Sequence, residues 1–281
     1  MTPTISLNGK IMTFRTPAVM GIINVTPDSF YSSSRTPAYN SLKQRIEKFI
    51  DEGVDIFDIG GYSSRPGAED ISAETEFSRL APAIETIRRI APGFPISIDT
   101  FRSGIAEKCI DEFGVEIIND ISGGSLDPEM FDMVAEKKCA YVMMHMRGNP
   151  ETMSGLTQYD DVVAEVIEDL SFKLARLREK GVADVIVDPG FGFAKSLTQN
   201  FRLLDCLPCF KELGAPLLVG ISRKSMIWKT LGKTPEEALN GTSVLNTAAL
   251  LKGADILRVH DVAEAVECIK LTRELINSSQ L

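Results

Sequence analysis

The sequence predicts an α/β chain closed into one parallel (β/α)8 TIM barrel with a short N-terminal β-hairpin. Its 281 residues suit such a barrel, whose usual size is about 250 residues. Eight short apolar runs recur along the chain, each followed by a stretch of helical periodicity. No segment rich in Pro, Gly or Ser interrupts the series, so residues 1–281 are expected to form a single domain. A doubly wound open sheet is the alternative topology.

The first element expected is a hairpin over residues 5–14, because Asn8-Gly9 at its middle favours the positive φ of a two-residue turn. It is expected to plug the bottom of the barrel. Strands follow at residues 19–24, 54–59, 96–99, 117–120, 140–145, 185–188, 217–220 and 256–259. They are almost continuously apolar, as parallel strands covered on both faces must be. Helical patterns at 42–52, 73–90, 104–113, 128–137, 159–179, 199–213, 235–252 and 262–276 fill the intervals. Several of these end on glycine, at Gly53, Gly114, Gly181, Gly214 and Gly253, where a left-handed terminal residue costs little.

Composition narrows the function. A chain 44% hydrophobic and 25% charged can bury a full core. With 30 basic against 39 acidic side chains the net charge is -9, which repels nucleic acid and anionic membranes. An anionic ligand must then be held by a local cluster of cations. The five cysteines (Cys109, Cys139, Cys206, Cys209, Cys268) are odd in number and lie in apolar or helical stretches, which suits a reducing compartment. No secretory pattern opens the chain and no run of ~18 apolar residues occurs, so a cytoplasmic location is expected.

Barrel chemistry sits at the C-terminal ends of the strands. Those ends supply Asn24, Asp58, Asp99, Asn119 with Asp120, His145, Asp188, Ser222-Arg223-Lys224, and Arg258 with His260. Arg65, Arg223, Lys224 and Arg258 come from strands two, seven and eight, neighbours in a closed ring, and such a group suits phosphate or pyrophosphate. Asn24, Asp58, Asp99, Asn119 and Asp188 make an opposing wall of oxygens and amides. It could hydrogen-bond a nitrogen-rich heterocycle, stabilise a developing cation or help bind Mg2+. Long turn-rich loops at residues 25–40 and 60–72 read as lids.

Other signals fail. Gly232-Lys233-Thr234 follows a helical pattern and lacks the first glycine of a phosphate-binding loop, since Ile227 stands there. Gly190-Phe191-Gly192 lacks the third glycine of a dinucleotide site. Cys206 and Cys209 have redox spacing without a thioredoxin-like context, and two histidines with scattered cysteines make no zinc site.

The strand-end segments together resemble dihydropteroate synthase. The matching segments are residues 24–30 (Asn-Val-Thr-Pro-Asp-Ser-Phe), Asp58-Ile59-Gly60-Gly61 with Ser64-Arg65-Pro66-Gly67, Ser97-Ile98-Asp99-Thr100, and residues 118–124. Met144-His145-Met146, residues 188–193 (Asp-Pro-Gly-Phe-Gly-Phe), Ser222-Arg223-Lys224 and Arg258-Val259-His260 complete the series in family order. The resemblance implies a folate-biosynthesis transferase that condenses 6-hydroxymethyl-7,8-dihydropterin pyrophosphate with 4-aminobenzoate by an SN1-like displacement. It places the pterin at Asp99, Asn119, Asp188 and Lys224, and Mg2+ at Asn24. Pyrophosphate falls at Asn24, Arg65, Arg258 and His260. Aminobenzoate, with competing sulfonamides, falls at Ser64, Arg65, Pro66, Gly192, Phe193, Ser222 and Lys224. Asp99, Lys224, Arg258 and Asn24 are the catalytic candidates, and a homodimer is implied. Tyr62 and Ser64 depart from the glutamate and threonine common in relatives, and residues 31–35 lack their glycine pair. A pterin-using methyltransferase and a catalytically silent pterin-binding paralogue are the rival readings.

Overall fold

Strands β1 (Thr4–Leu7) and β2 (Lys10–Thr13) pair antiparallel, turned by Asn8 and Gly9 at φ 48° and 80°. The computed structural model describes residues 2–25, 35–63 and 70–278, the side chains of 35–38 excepted. Residues 26–34 and 64–69 of the two expected lid loops therefore lie outside the described residues, Ser64, Arg65 and Pro66 among them.

Eight parallel strands follow: β3 (Ala18–Asn24), β4 (Ile56–Gly60), β5 (Ile96–Asp99), β6 (Ile117–Asp120), β7 (Ala140–Met144), β8 (Val185–Asp188), β9 (Leu218–Val219) and β10 (Ile256–Val259). They hydrogen-bond in the order β8-β7-β6-β5-β4-β3-β10-β9. An isolated parallel bridge between Val187 and Leu217 brings the two ends together, with the Val187 N–H donating to the Pro216 carbonyl at 2.9 Å. The barrel is thus nearly closed, and the open-sheet alternative is excluded.

Helices α1 (Arg35–Glu52), α2 (Ala73–Ile90), α3 (Ser103–Phe113), α4 (Met130–Lys137), α5 (Val162–Glu179), α6 (Leu197–Asp205), α7 (Ser225–Leu231), α8 (Leu239–Leu251) and α9 (Val262–Ser278) surround it. Two sequence expectations are corrected. The pattern over 199–213 is not one helix: α6 stops and a 3-10 turn runs Leu207–Leu213, because Pro208 has no N–H to continue the ladder. The long pattern over 235–252 starts only at Leu239, and the short α7 before it carried too few turns to show a period. Gly232 caps the end of α7 in the left-handed region, so it cannot begin a phosphate loop.

A large core joins the strands to the helices. A second core fills the lower barrel, where Ile5, Leu7 and Phe14 of the hairpin region pack with Met20, Ile56, Ile117, Val142, Ile186 and Ile256. The hairpin is the expected plug. Burying each such side chain contributes about 1.5–3 kcal/mol.

Carboxylates tie the same lower rim. Asp55 accepts from the Val19 N–H (2.7 Å), Glu116 from Ile96 (2.9 Å) and Asp255 from Leu217 (2.9 Å), each on the strand before its own or just ahead of it. Asp184 instead accepts from Ser6 of the plug at 2.7 Å. Among the described residues no helix is long and apolar enough to cross a membrane.

Candidate active site

At the opposite rim, parallel register places Asn24, Gly60, Asp99 and Asn119 in one row across β3 to β6. Asp58, two residues earlier on β4, is fully buried and needs a cation. Arg258 of β10 supplies it: Nε donates to Asp58 Oδ2 at 2.6 Å, and the other arm of the fork donates to Asp99 Oδ2 at 2.5 Å. Asn119 Nδ2 lies 3.3 Å from the same Asp58 oxygen. One guanidinium therefore organises residues from three strands.

Burial pushes the Asp99 carboxyl up to about 7, although Arg258 pulls the other way. Burial also works against the Arg258 charge, yet Asp58 and Asp99 hold its pKa above the ordinary guanidinium value. Asp188, accepting from the Gly190 N–H at 2.8 Å, is raised by burial against the pull of Lys224. Lys224 is brought down to about 8 by burial, with Asp188 opposing.

Two glycines keep the floor open. A Cβ on Gly60 would stand 3.4 Å from Asn24 Oδ1 and 3.8 Å from Asp99 Oδ2, and one on Gly220 would stand 3.9 Å from Asp188 Oδ2 and 3.8 Å from Arg258 Cβ. Sequence reasoning passed over Gly220, although a glycine at the end of a barrel strand is a sign of close approach.

The turn after β8 forms a separate wall. Lys224 Nζ donates to the Phe191 carbonyl and lies 4.7 Å from the centre of the Phe193 ring. Gly192 is in contact with the same side chain, since a Cβ there would come within 3.2 Å of Lys224 Cδ. Phe193 also packs on an apolar ledge of Ile121, Met144, Met146, Met153 and Ala194.

His260 is neutral: burial brings its imidazole down to about 4, helped by the Arg258 charge. The Ser222 hydroxyl accepts from the His260 backbone N–H (3.2 Å) and sits 3.1 Å from Nδ1.

Arg223 is not a cation of the mouth, contrary to the grouping expected from sequence. Its fork binds both oxygens of Asp261 (2.8 and 2.9 Å) and also the carbonyls of Pro235 and Glu236. The adjacent residue, with φ 54° at Arg223, is the one that faces inward. Tyr62 packs edge-on to Phe101 (5.1 Å) and lies 5.3 Å from the Arg102 guanidinium. His145 pairs through Nδ1 with Lys195 Nζ at 2.9 Å, a buried lysine that carried no recognised sequence signal. Burial lowers this lysine to about 7 and His145 to about 2.

Fold and site together define a barrel enzyme whose C-terminal mouth joins a guanidinium–carboxylate cluster to a lysine set over an aromatic ring. The sequence matches the family described as pterin binding enzyme over residues 20–260. It is 43% identical to the dihydropteroate synthase of Synechocystis sp. over 263 residues, covering 92% of this chain and 89% of that protein. The Xanthomonas albilineans dihydropteroate synthase with 4-aminobenzoic acid superposes with a TM-score of 0.89 at 36% identity, covering 98% of both chains. The same enzyme in complex with 7,8-dihydropteroate gives 0.85 at 35%, covering 97% of this chain and 98% of that one. The chain belongs to the pterin-binding enzyme family, within its dihydropteroate synthases.

Proposed function

We propose that this chain condenses 6-hydroxymethyl-7,8-dihydropterin pyrophosphate with 4-aminobenzoate, releasing 7,8-dihydropteroate and pyrophosphate in folate synthesis. The observation that carries the reading is the Arg258 fork bridging Asp58 and Asp99, with Asp188 and Lys224 close enough to influence each other's charge in the same mouth. The capture of the Xanthomonas albilineans relative with 4-aminobenzoic acid and with 7,8-dihydropteroate supports it.

In this reading Asp99, Asn119, Asp188 and Lys224 hold the pterin, carboxylates taking ring N–H groups and the ammonium a ring acceptor. Asn24, Arg65, Arg258 and His260 hold the pyrophosphate. The bond from the pterin methylene to pyrophosphate breaks with its electron pair leaving on oxygen. Asp99, beside the reacting carbon, stabilises the positive charge left on the methylene. The aminobenzoate nitrogen then forms the new C–N bond and gives up one proton. Phe193 stacks on the aminobenzoate ring, with Gly192, Ser222, Lys224, Ser64, Arg65 and Pro66 around it, the place where sulfonamides would compete.

Magnesium fits the Asn24 position. Asn24 Oδ1 and Asp99 Oδ2 both face the gap above Gly60, and among the described residues no cluster of three or more His, Cys, Asp or Glu would hold a metal alone. Few protein oxygens supplemented by substrate phosphate is the usual Mg2+ arrangement. When bound, the ion would neutralise charge developing on the departing pyrophosphate.

The proposed enzyme is one barrel domain, cytoplasmic, and a homodimer. Its dimer surface is the apolar face of α8 and α9, where Val244, Leu251, Leu271 and Leu275 are each more than half exposed. The test is dihydropteroate formation from both substrates with Mg2+; no product at saturating concentrations overturns the assignment.

A further inference from the structure

Lys195 lies buried behind the turn after β8, and none of the substrate contacts above uses it. Its Nζ donates to the carbonyls of Gly190 (2.9 Å) and Phe193 (3.0 Å) and lies 2.9 Å from Nδ1 of His145. Both carbonyls flank Phe191, whose own carbonyl accepts from Lys224 on the other side of the turn. Two lysines thus grip opposite edges of one turn, and only Lys224 faces the mouth.

The turn would not hold this shape by itself. Ala194 sits at φ 50°, which a residue with a side chain seldom adopts. A Cβ on Gly190 would come within 2.0 Å of the His145 carbonyl, so the turn is pressed onto the end of β7 as closely as backbone allows. Residues held in such conformations need surroundings that over-determine them, and the Lys195 Nζ is the hydrogen-bonding group at the centre of those surroundings.

We propose that Lys195, oriented by His145, is a positioning residue for the second substrate: it fixes the 190–193 turn so that Phe193 and Lys224 together present the surface that receives 4-aminobenzoate. The proposal rests on the reading that Phe193 belongs to the aminobenzoate pocket. The Arg258, Asp58 and Asp99 cluster is built on other strands, whereas Asp188 and Lys224 touch the turn itself, so the aminobenzoate side should feel a displaced turn more than the pterin side.

Lys195→Met, His145→Gln and Phe193→Ala test it in the full-length enzyme. Lys195→Met should raise KM for 4-aminobenzoate about tenfold or more and KM for the pterin pyrophosphate by a clearly smaller factor, since Phe193 contacts only the former and displaced groups lose binding to the substrate they contact. Hydrogen exchange should quicken over residues 189–196 and remain unchanged in β4, β5 and β10. His145→Gln, which keeps two of the three contacts, should move the same constant in the same direction by a smaller factor, and it carries the test if Lys195→Met does not fold. Phe193→Ala checks the underlying reading separately. If it raises KM for 4-aminobenzoate while the Lys195 and His145 variants do not, or they raise both KM values alike, the positioning role is overturned. If Phe193→Ala itself leaves that constant unchanged, the pocket reading falls and the proposal with it.

Discussion

Arg258 and Lys224 are both partly buried cations of the mouth, yet their loss has different consequences. Arg258 neutralises Asp58, which has no contact with solvent. Arg258→Ala therefore strands a buried carboxylate at a cost of about 3 kcal/mol or more, and both turnover and melting temperature should fall. Lys224→Ala removes a charge that burial already disfavours, so turnover should drop about 100-fold or more with a melting temperature close to the parent. Steady-state assays beside thermal unfolding decide; equal melting losses in the two variants would contradict this account. The same depression sets a pH dependence. Lys224 carries its charge below about 8 and loses it above, so kcat/KM for the pterin substrate should decline as pH rises through that value, and Lys224→Arg should move the decline beyond it. The identities of these side chains at strand ends were legible in the sequence. Their partners were not: Arg223 and Lys224 are chain neighbours of like charge, and only the Asp261 side chain, 38 positions away, decides which of them turns outward. Lys195 escaped notice because two of its acceptors are backbone carbonyls, which any residue supplies.

Strands were the most readable elements, since covering both faces leaves no polar positions to blur an apolar run. Helices were readable where they were long. Proline at 208 and the seven residues of α7 were decisive local features too short to alter a periodic pattern. The hairpin shows how a small element contributes to the whole: Ile5, 1% exposed, is lodged in the lower core. Ile5→Ala should destabilise by about 2–4 kcal/mol in denaturant titration while leaving both KM values unchanged, because the plug and the mouth lie at opposite ends of the barrel. A changed KM would mean that the plug transmits to the mouth.

Across the whole molecule, a net charge of -9 coexists with a mouth proposed to receive an anion. The cations that achieve this are few and internally paired, so a negative surface does not contradict an anionic substrate. The helical face proposed to join two copies carries Leu271 at 73% exposure on α9. Leu271→Glu should yield monomers in analytical ultracentrifugation where the parent sediments as a dimer; an unchanged distribution would place the interface elsewhere. The outline of barrel and mouth could be read from sequence because both follow from strand order. The proposed dimer face could not, since solvent-exposed leucine on a helix has no pattern that distinguishes it from a core position turned outward.

The carboxylates of the lower rim have a further implication. Asp55, Glu116, Asp184 and Asp255 each stand one residue before β4, β6, β8 and β10, every second stave of the ring. The short phrases around them, Gly53-Val54-Asp55-Ile56, Gly114-Val115-Glu116-Ile117, Val182-Ala183-Asp184-Val185 and Gly253-Ala254-Asp255-Ile256, repeat in kind. The foot of the barrel thus keeps a fourfold rhythm of two-stave quarters that the mouth, where Asn24, Gly60, Asp99 and Asn119 follow one another on consecutive staves, does not keep. At the third quarter the pin reaches Ser6 instead of a neighbouring stave. The hairpin is consequently stitched into the rotational order of the barrel, as a keystone is set among the stones it closes.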